Sequence, residues 1–307
     1  MITQGKYEII HTAIHRENNL LSISRLCDIA GVSRSGYYAW EKAAPAREKR
    51  EDADKEDFNL IVEAYKFRGY AKGARSIHMR LLHTGIRMNL KKIRRLMDKY
   101  GLKCPYRGPN PYRRMAKALK TNTVFPNKVN REFLKDGVRK VLLTDITYIF
   151  YDQKVCYLST ILDAFTREVL AYELSPNLMV NFVLSTVDKL MAAHGCTLDD
   201  TTIVHSDQGC HYTSKAFIQK LKDNKFSQSM SRKGNCWDNA PQESFFGHMK
   251  DEIKYEIAML KTFEDVKAKI DDWIDYYNND RYQWELSKLS PREFFRYTTT
   301  GIYPIAI

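Results

Sequence analysis

Three acidic residues and one lysine have side chains suited to phosphoryl-transfer chemistry. Asp145 lies inside the run VLLTDITYIF, Asp207 ends TTIVHSD, and Glu243 begins ESFFGHMK, whose last residue is Lys250. Two carboxylates about 4 Å apart repel by roughly 4 kcal/mol at an effective dielectric constant of about 20. Three converging acids therefore need protons or cations, and carboxylate oxygens suit Mg²⁺ or Mn²⁺. Two such ions can hold the attacking and leaving oxygens of a phosphoryl transfer.

The sequence pattern places the first two acids on strands of an α/β domain. VRKVLLTDITYIF, KVCYLSTILDAF and REVLAYEL are rich in β-branched and aromatic residues and predict three successive strands. A helix over about 178–194, the strand TTIVHSD, a helix over about 214–223 and the strand FSQSMS follow. This order is that of a ribonuclease-H-like α/β domain, one of several α/β arrangements that periodicity allows.

Glu243 and Lys250 lie on a later helix, which opens with WDNAPQE. Asp238 or Asn239 can cap this helix, and Pro241 suits its first turn. Its apolar residues predict one buried face, formed by Phe246, Met249 and Ile253. Another helix is expected over about 263–278.

Each acid also has an ordinary interpretation as a surface charge, a helix cap or part of a solvated helix face. Asp163 ends a predicted strand as well, and it is the main rival to Asp145. His205, beside Asp207, is either an orienting residue of the site or a core histidine. Asp145 is favoured because a charge in mid-strand shares a mostly apolar face and needs a partner.

The positive charge of the chain is concentrated in one segment. Residues 66–120 contain seventeen basic residues and one acid, Asp98, a net charge of +16. Because the whole chain carries +12, the remaining residues sum to −4. This concentration predicts a nucleic-acid-binding surface.

A helix-turn-helix pattern lies in this basic segment. The sequence predicts a helix over about 74–83, a turn at Thr84 and Gly85, and a helix that Asn89 caps and Gly101 ends. Five basic residues lie largely off the apolar stripe of the second helix: Lys91, Lys92, Arg94, Arg95 and Lys99. We expect the first four of them to contact DNA. The following PYRGPNPYRRMAKALKTNTVFPNK, with Arg113 and Arg114, predicts an extended arm along a phosphate backbone.

A weaker pattern of the same kind lies near the start of the chain. A helix over 22–30 that ends at Gly31, and a second that begins near Ser33, have helix-turn-helix spacing. A small apolar helix pair explains this pattern equally well. The charged stretch 45–57 is either a linker or a solvated helix.

Composition indicates a globular protein, with 44% hydrophobic and 28% charged residues. No apolar run reaches the roughly 18 residues of a membrane span, so we expect a cytoplasmic, nucleoid-associated protein without membrane contact. The six cysteines include no C-x-x-C pair, which favours reduced thiols over a zinc site. His11 and His15 form an H-x-x-x-H pair, which we interpret as a helix face.

Several blocks closely resemble the second-frame (OrfB) transposases of the insertion-sequence-three family. These blocks are TDITYI, HSDQG-x-x-YTS, SMSRKGNCWDNAPQESFFGHMK and YYNNDR…LSPREFF, in that order. The upstream GYAKGARSIHMRL…GIRMNLKKIRRLMDKYGL is similar to the helix-turn-helix segment of that family. Cys210 and His211 depart from the more usual polar pair after HSDQG.

The resemblance implies a retroviral-integrase-like DDE core with Asp145, Asp207 and Glu243 as the metal-binding catalytic triad. Lys250 is then the basic residue that contacts element-end DNA. The implied reaction is strand cleavage by water, followed by attack of the freed 3′-OH on another phosphodiester, with two Mg²⁺ or Mn²⁺ ions. The implied partners are the terminal inverted repeats, target DNA, further copies of the chain and the upstream-frame (OrfA) product.

We therefore expect five segments: 1–45 helix-turn-helix-like, 46–65 a charged linker or helix, 66–104 a basic helix-turn-helix, 105–130 a basic arm, and 131–300 an integrase core with C-terminal helices. The alternative function is a DNA-binding accessory protein or repressor of transposition whose core is a scaffold. Three converging acids favour the enzyme, because a scaffold does not need them.

Overall fold

The structure is a computed structural model that describes residues 3–70, 72–104, 125–134, 137–232 and 236–305. Its backbone contacts divide the chain into two compact units, Met1–Glu63 and Ala64–Ile307. The predicted arginines Arg113 and Arg114, and most of the predicted basic arm, lie outside the described residues.

The first unit is helical, and its helices begin where the sequence places capping residues. Its helices are α1 (Thr3–Ile14), α2 (Ile23–Ala30), α3 (Arg34–Lys42) and most of α4 (Ala44–Lys66). The Ser22 side chain accepts the Arg25 N–H, and Gly31 ends α2 with a φ of 64°. The Ser33 side chain accepts the Gly36 N–H at the start of α3. These contacts place the ends of the two helices where the sequence predicts them.

A small core of Ile10, Cys27 and Tyr37 joins α1, α2 and α3. His11 Nδ1 lies 3.3 Å from the Tyr37 hydroxyl, and His15 Nδ1 lies 2.8 Å from the His11 carbonyl oxygen. Both imidazoles therefore bond to groups within this helical unit.

The charged stretch 45–57 is helical, since it lies within α4. Neither α4 nor any other helix among the described residues combines the length and the apolar character that a bilayer requires.

The second unit contains a five-stranded sheet flanked by helices. Its helices are α5 (Ala74–His83), α6 (Leu90–Lys99), α7 (Val180–His194), α8 (Lys215–Asp223), α9 (Ala240–Met259), α10 (Phe263–Asn279) and α11 (Pro291–Thr300). Its strands are β1 (Val141–Tyr151), β2 (Lys154–Asp163), β3 (Val169–Ser175), β4 (Ile203–Ser206) and β5 (Ser227–Met230). The sheet order is β3-β2-β1-β4-β5. Strands β1, β2 and β3 pair antiparallel, whereas β4 pairs parallel with β1 and β5 parallel with β4. This order and these directions confirm the predicted ribonuclease-H-like fold.

Each face of the sheet is covered by a different helix pair. On one face, Leu143 packs in a cluster with Phe245 of α9 and Trp273 of α10. On the other, Leu142 packs in a cluster with Val187 of α7 and residues of α8. Alternation along β1 sends successive side chains to the two cores, and each fully buried large apolar side chain contributes roughly 1.5–3 kcal/mol.

The predicted basic helix-turn-helix is formed by α5 and α6. The Asn89 side chain caps α6 by accepting the Lys91 N–H at 2.8 Å. Ile93, Leu96 and Met97 are buried. The basic side chains lie off this apolar stripe: Lys91, Arg94, Arg95 and Lys99 are exposed, and Lys92 is half-buried.

Ion pairs and hydrogen bonds attach this segment to the C-terminal helices of the core. The Tyr70 hydroxyl donates to Asp272 Oδ2 at 2.6 Å. His83 Nε2 lies 3.2 Å from Glu293 Oε2, and Arg68 Nη2 donates to Asp275 Oδ2 at 2.8 Å. The α5–α6 pair is therefore part of the second compact unit.

Candidate active site

Asp145 and Asp207 are brought together by the parallel pairing of β1 with β4. Leu143 lies opposite His205 in this pairing, and Asp145 and Asp207 come two residues later on the two chains. Adjacent strands are about 4.8 Å apart, so continuation of the register sets the two acids side by side. Because β4 ends at Ser206, Asp207 lies at the carboxyl edge of the sheet.

Local hydrogen bonds orient both carboxylates. Asp145 Oδ1 accepts the Ile146 N–H at 2.7 Å, and Asp207 Oδ1 accepts the Gly209 N–H at 2.8 Å. A Cβ atom added to Gly209 would lie 2.9 Å from Asp207 Oδ1, closer than real Cβ atoms approach a neighbour. Glycine at this position therefore allows the backbone to turn tightly around the carboxylate.

Glu243 reaches the same region from the first turn of α9. The preceding residue, Gln242, is fully buried, and its side-chain amide donates to Thr160 Oγ1. Thr160 lies opposite Asp145 in the β1–β2 pairing. The amide bond thus ties the start of α9 to the strand beside Asp145.

The electrostatics of Asp145 link all four predicted site residues. Burial raises the pKa of the Asp145 carboxyl well above its ordinary value, and the charges of Asp207 and Glu243 raise it further. The Ile146 N–H and the Lys250 ammonium oppose this rise. Removal from water likewise raises the pKa of Asp207. The site is therefore a region of excess negative charge that a proton or cation would relieve.

Lys250 faces this charge from α9. Loss of hydration lowers the pKa of its ammonium, and the attraction of Asp145 opposes that change. Tyr212 approaches from the opposite side: its hydroxyl lies 3.4 Å from Thr144 Oγ1, and burial, Asp145 and Asp207 raise its pKa. Tyr212 belongs to the HSDQG-x-x-YTS block, but the sequence alone assigned it no role.

The carboxylate oxygens of this site are the ligand type that a hard divalent cation prefers, and a bound cation would cancel their mutual repulsion. Within the described residues, no group of three His, Cys, Asp or Glu side chains is close enough to hold one metal ion. Asp145 and Asp207 form the neighbouring pair, and Glu243 lies exposed on a separate helix.

Asp163, the rival to Asp145, has a different environment. It is fully buried, accepts the Thr166 hydroxyl at 2.8 Å and lies 3.5 Å from Arg139 Nη1. Arg139 also pairs with Glu168 at 2.7 Å. Asp163 is thus part of a buried ion-pair network that connects the ends of β2 and β3.

His205 bonds to serines of the core. Its Nδ1 lies 2.9 Å from Ser229 Oγ and its Nε2 lies 3.0 Å from Ser231 Oγ. Burial lowers its pKa to about 4. Both ring nitrogens therefore join β4 to the β5 region, which favours the core interpretation over an orienting role for Asp207.

The prediction that Asp238 or Asn239 caps α9 with its side chain is wrong. Asn239 occupies the cap position without a side-chain capping bond. The Asp238 carboxylate is fully buried and instead accepts hydrogen bonds from Asn127, Arg131 and Arg232. A buried carboxylate gains more from two guanidinium groups than from one backbone N–H. Sequence reasoning missed this cluster because Asn127 and Arg131 are more than one hundred residues away.

The two residues that depart from the family pattern lie beside Asp207. Cys210 Sγ is 3.6 Å from His211 Nδ1, and His211 Nε2 is 3.4 Å from the Leu178 carbonyl oxygen. The charge of His211 acts to lower the pKa of Asp207.

Family models and relatives agree with this architecture. Integrase core domain models match residues 136–236 and 243–298, and an HTH-like domain model matches residues 51–110. The putative transposase InsK for insertion sequence element IS150 of Escherichia coli (strain K12) is 31% identical over 272 residues, covering 89% of this chain and 93% of the relative. Transposase InsF for insertion sequence IS3A of the same organism is 27% identical, covering 92% of this chain and 96% of the relative.

Among solved structures, the intasome of simian T-cell lymphotropic virus is similar at 14% identity and a TM-score of 0.47, covering 76% of this chain and 78% of that chain. The relationship to the insertion-sequence relatives extends over nearly the whole sequence, through both the HTH-like segment and the integrase core. The chain therefore belongs to the family of insertion-sequence transposases that carry an integrase core domain.

Proposed function

We propose that this protein catalyses DNA transposition by Mg²⁺- or Mn²⁺-dependent phosphoryl transfer, with Asp145, Asp207 and Glu243 as catalytic, metal-binding residues. The observation that carries the proposal is the position of the acids: the β1–β4 pairing sets Asp207 beside Asp145, and the Gln242–Thr160 bond ties the start of α9, which carries Glu243, to the strand beside Asp145. Carboxylates that destabilise one another at a sheet edge are expected where a cation is to be bound.

The reaction consists of two displacements at phosphorus. In the first, water attacks a phosphodiester at the element end, a P–O bond forms, and the P–O3′ bond breaks to release a 3′-OH. In the second, the oxygen of that 3′-OH loses its proton to solvent and forms a P–O bond with a phosphodiester of another DNA. The P–O3′ bond of that phosphodiester breaks, and the departing 3′ oxygen receives a proton from solvent. When bound, two divalent ions would activate the attacking oxygen and stabilise the leaving oxygen.

The residues of the chain prepare this chemistry. Asp145 and Asp207, on adjacent strands, and Glu243, on α9, would hold the ions. Gly209 and Gln242 orient Asp207 and the start of α9 through the contacts described above. Lys250, on the same helix as Glu243, would bind a phosphate of the DNA strand.

DNA is the proposed partner of the basic helix α6, through Lys91, Lys92, Arg94 and Arg95. Arg113 and Arg114 are proposed to extend this contact along the phosphate backbone. We further infer that the protein acts as a homo-oligomer on the terminal inverted repeats and target DNA, together with or fused to an upstream-frame (OrfA) product.

An assay with element-end DNA tests the proposal. The purified chain, with and without the upstream-frame product, is incubated with labelled end duplex and Mg²⁺. We expect cleavage and joining by the parent protein. We expect Asp207→Asn to lower the rate by at least about a hundredfold, with binding of the same duplex retained.

Two results would contradict the proposal. Equal cleavage and joining by Asp207→Asn would exclude the assigned catalytic role. Binding without cleavage by the parent, in every metal and partner condition, would favour the accessory or repressor function.

A further inference from the structure

The buried Asp238 carboxylate holds two arginine side chains side by side. Asp238 Oδ1 accepts the Arg131 Nε–H at 2.8 Å and an Arg232 Nη2–H at 2.8 Å. Its Oδ2 accepts the Arg232 Nε–H at 2.9 Å and the Asn127 amide at 3.0 Å. Because both guanidinium groups contact the same oxygen, their bonded nitrogens are necessarily close to each other.

Both arginine side chains also reach solvent. The side chains of Arg131 and Arg232 are 45% and 56% exposed, whereas that of Asp238 is fully buried. Among the described residues, Asp238 is the one carboxylate within salt-bridge distance of either arginine. Within this cluster of described side chains, one carboxylate pairs with two guanidinium groups, so the cluster itself carries a net positive charge.

This arginine pair lies at the same sheet edge as the acids. β4 and β5 run parallel, with Ser206 opposite Met230. The Ser231 N–H donates to the Ser206 carbonyl at 2.9 Å, and the Gln208 amide donates to the Ser231 carbonyl at 2.9 Å. Ser231, which directly precedes Arg232, is thus hydrogen-bonded to Ser206 and Gln208, the residues on either side of Asp207.

We propose that Arg131 and Arg232 form a binding site for one backbone phosphate of the DNA strand that the acid site cleaves. The inference rests on the proposed function, since it supplies a phosphate contact beside the reacting phosphodiester. Guanidinium groups suit this ligand because their planar N–H donors match two phosphate oxygens. Asp238 orients both groups before DNA arrives, which lowers the entropy lost on binding.

Salt-dependent binding tests the proposal. The full chain and the double variant Arg131→Gln plus Arg232→Gln are titrated into a labelled mixed-sequence duplex of about 30 base pairs at several salt concentrations. Loss of one phosphate contact should weaken binding by about tenfold and reduce the slope of log K against log[salt] by about 0.9. In the cleavage assay, KM for DNA should rise while kcat is largely kept.

Two controls separate a phosphate contact from a purely structural clamp. Lys189→Gln removes a positive charge that pairs with Glu173 on β3, the outermost strand at the other side of the sheet from β5, and it should leave the slope unchanged. Arg131→Lys plus Arg232→Lys keeps both charges, so it should preserve the slope while weakening binding, because lysine lacks the guanidinium geometry. If the double glutamine variant does not fold, each single variant leaves Asp238 with other donors and should show part of the same effect.

The outcomes also distinguish this inference from the proposed function. If the parent neither binds nor cleaves DNA, the proposed function fails. If the parent binds and cleaves, but the folded glutamine variants keep the parental slope and KM, only the arginine phosphate site is overturned.

Discussion

The Gln242 side-chain amide donates a hydrogen bond to Thr160 Oγ1, and Thr160 lies directly opposite Asp145 in the β1–β2 pairing. Both partners are fully buried. Glu243 follows Gln242 in the chain, so this hydrogen bond ties the start of the helix that carries Glu243 to β2, the strand paired with the one that carries Asp145. We regard Gln242 as a positioning residue of the site.

Thr160→Val removes this bond while preserving the side-chain volume. Bound Mg²⁺ should raise the melting temperature, and the Mg²⁺ concentration for half of this rise measures affinity. We expect this concentration to increase about fivefold to tenfold, since loss of one hydrogen bond corresponds to roughly 1 kcal/mol. Thr160→Ser, which keeps the hydroxyl, should restore the parental value. Gln242→Ala should have a similar effect, and combining it with Thr160→Val should add little.

If the effects of Thr160→Val and Gln242→Ala on Mg²⁺ affinity were additive in the double variant, the bond between the two residues would not position Glu243. Thr186→Val is the matched control. The Thr186 hydroxyl is also fully buried, but it bonds within α7, to the Phe182 carbonyl. It should lower stability without changing the Mg²⁺ dependence.

Asp145→Asn should stabilise the protein in EDTA although it abolishes cleavage. The substitution removes the repulsion that Asp207 and Glu243 exert on Asp145, and we expect the free energy of unfolding to rise by roughly 1 kcal/mol. The increase in melting temperature with Mg²⁺ should disappear. Thermal and denaturant unfolding with and without Mg²⁺ measure both effects.

Asp163→Asn is the contrasting variant. It leaves Arg139 buried with one fewer carboxylate, so it should destabilise the protein by about 3 kcal/mol. Destabilisation of similar size by both substitutions would refute the distinction between a repulsive site and a structural ion pair.

Asp238→Asn should lower stability in a pH-dependent manner. Hydrogen bonds from Arg232, followed by those from Arg131, hold the pKa of Asp238 well below its ordinary value of 3.8. A carboxylate whose pKa is lower in the folded state than in the unfolded state stabilises the folded state at pH values above its unfolded-state pKa. This stabilisation is lost as the pH falls through the folded-state pKa. The difference between parent and variant, about 2 kcal/mol, should thus be constant from pH 8 to about pH 4 and shrink below that range.

Urea unfolding at several pH values measures this difference. A difference that already shrinks between pH 7 and pH 5 would indicate that another group is responsible. Asp199→Asn serves as the exposed control, because Asp199 pairs with Lys140 at the surface and should contribute little.

Arg94→Ala plus Arg95→Ala should weaken DNA binding and flatten its salt dependence. Both side chains are exposed on α6, off the buried stripe of Ile93, Leu96 and Met97. Loss of two phosphate contacts should reduce the slope of log K against log[salt] by about 1.8. Lys267→Gln removes a positive charge that pairs with Asp271 on α10 and should not change the slope. An unchanged slope in the arginine variant would count against α6 as the DNA-binding surface.

The sequence by itself determined the local elements and their order. Ser22, Ser33, Asn89 and Ser214 each accept the hydrogen bond that starts a helix. Such caps depend only on residues a few positions away, and alternation of apolar residues likewise identified the strands. The sequence blocks of the integrase core also pointed to Asp145, Asp207 and Glu243 before any geometry was considered.

Only the tertiary structure decided which of these groups lie near one another. Asp145 and Asp163 both belong to strands. The parallel β1–β4 pairing brings Asp207 beside Asp145, whereas Asp163 forms a buried ion pair with Arg139. Asp238 looked like a helix cap, yet its carboxylate binds Arg131, from a distant part of the chain, as well as the nearby Arg232. Long-range pairing depends on the path of the whole chain through the sheet, and no window of neighbouring residues contains that information.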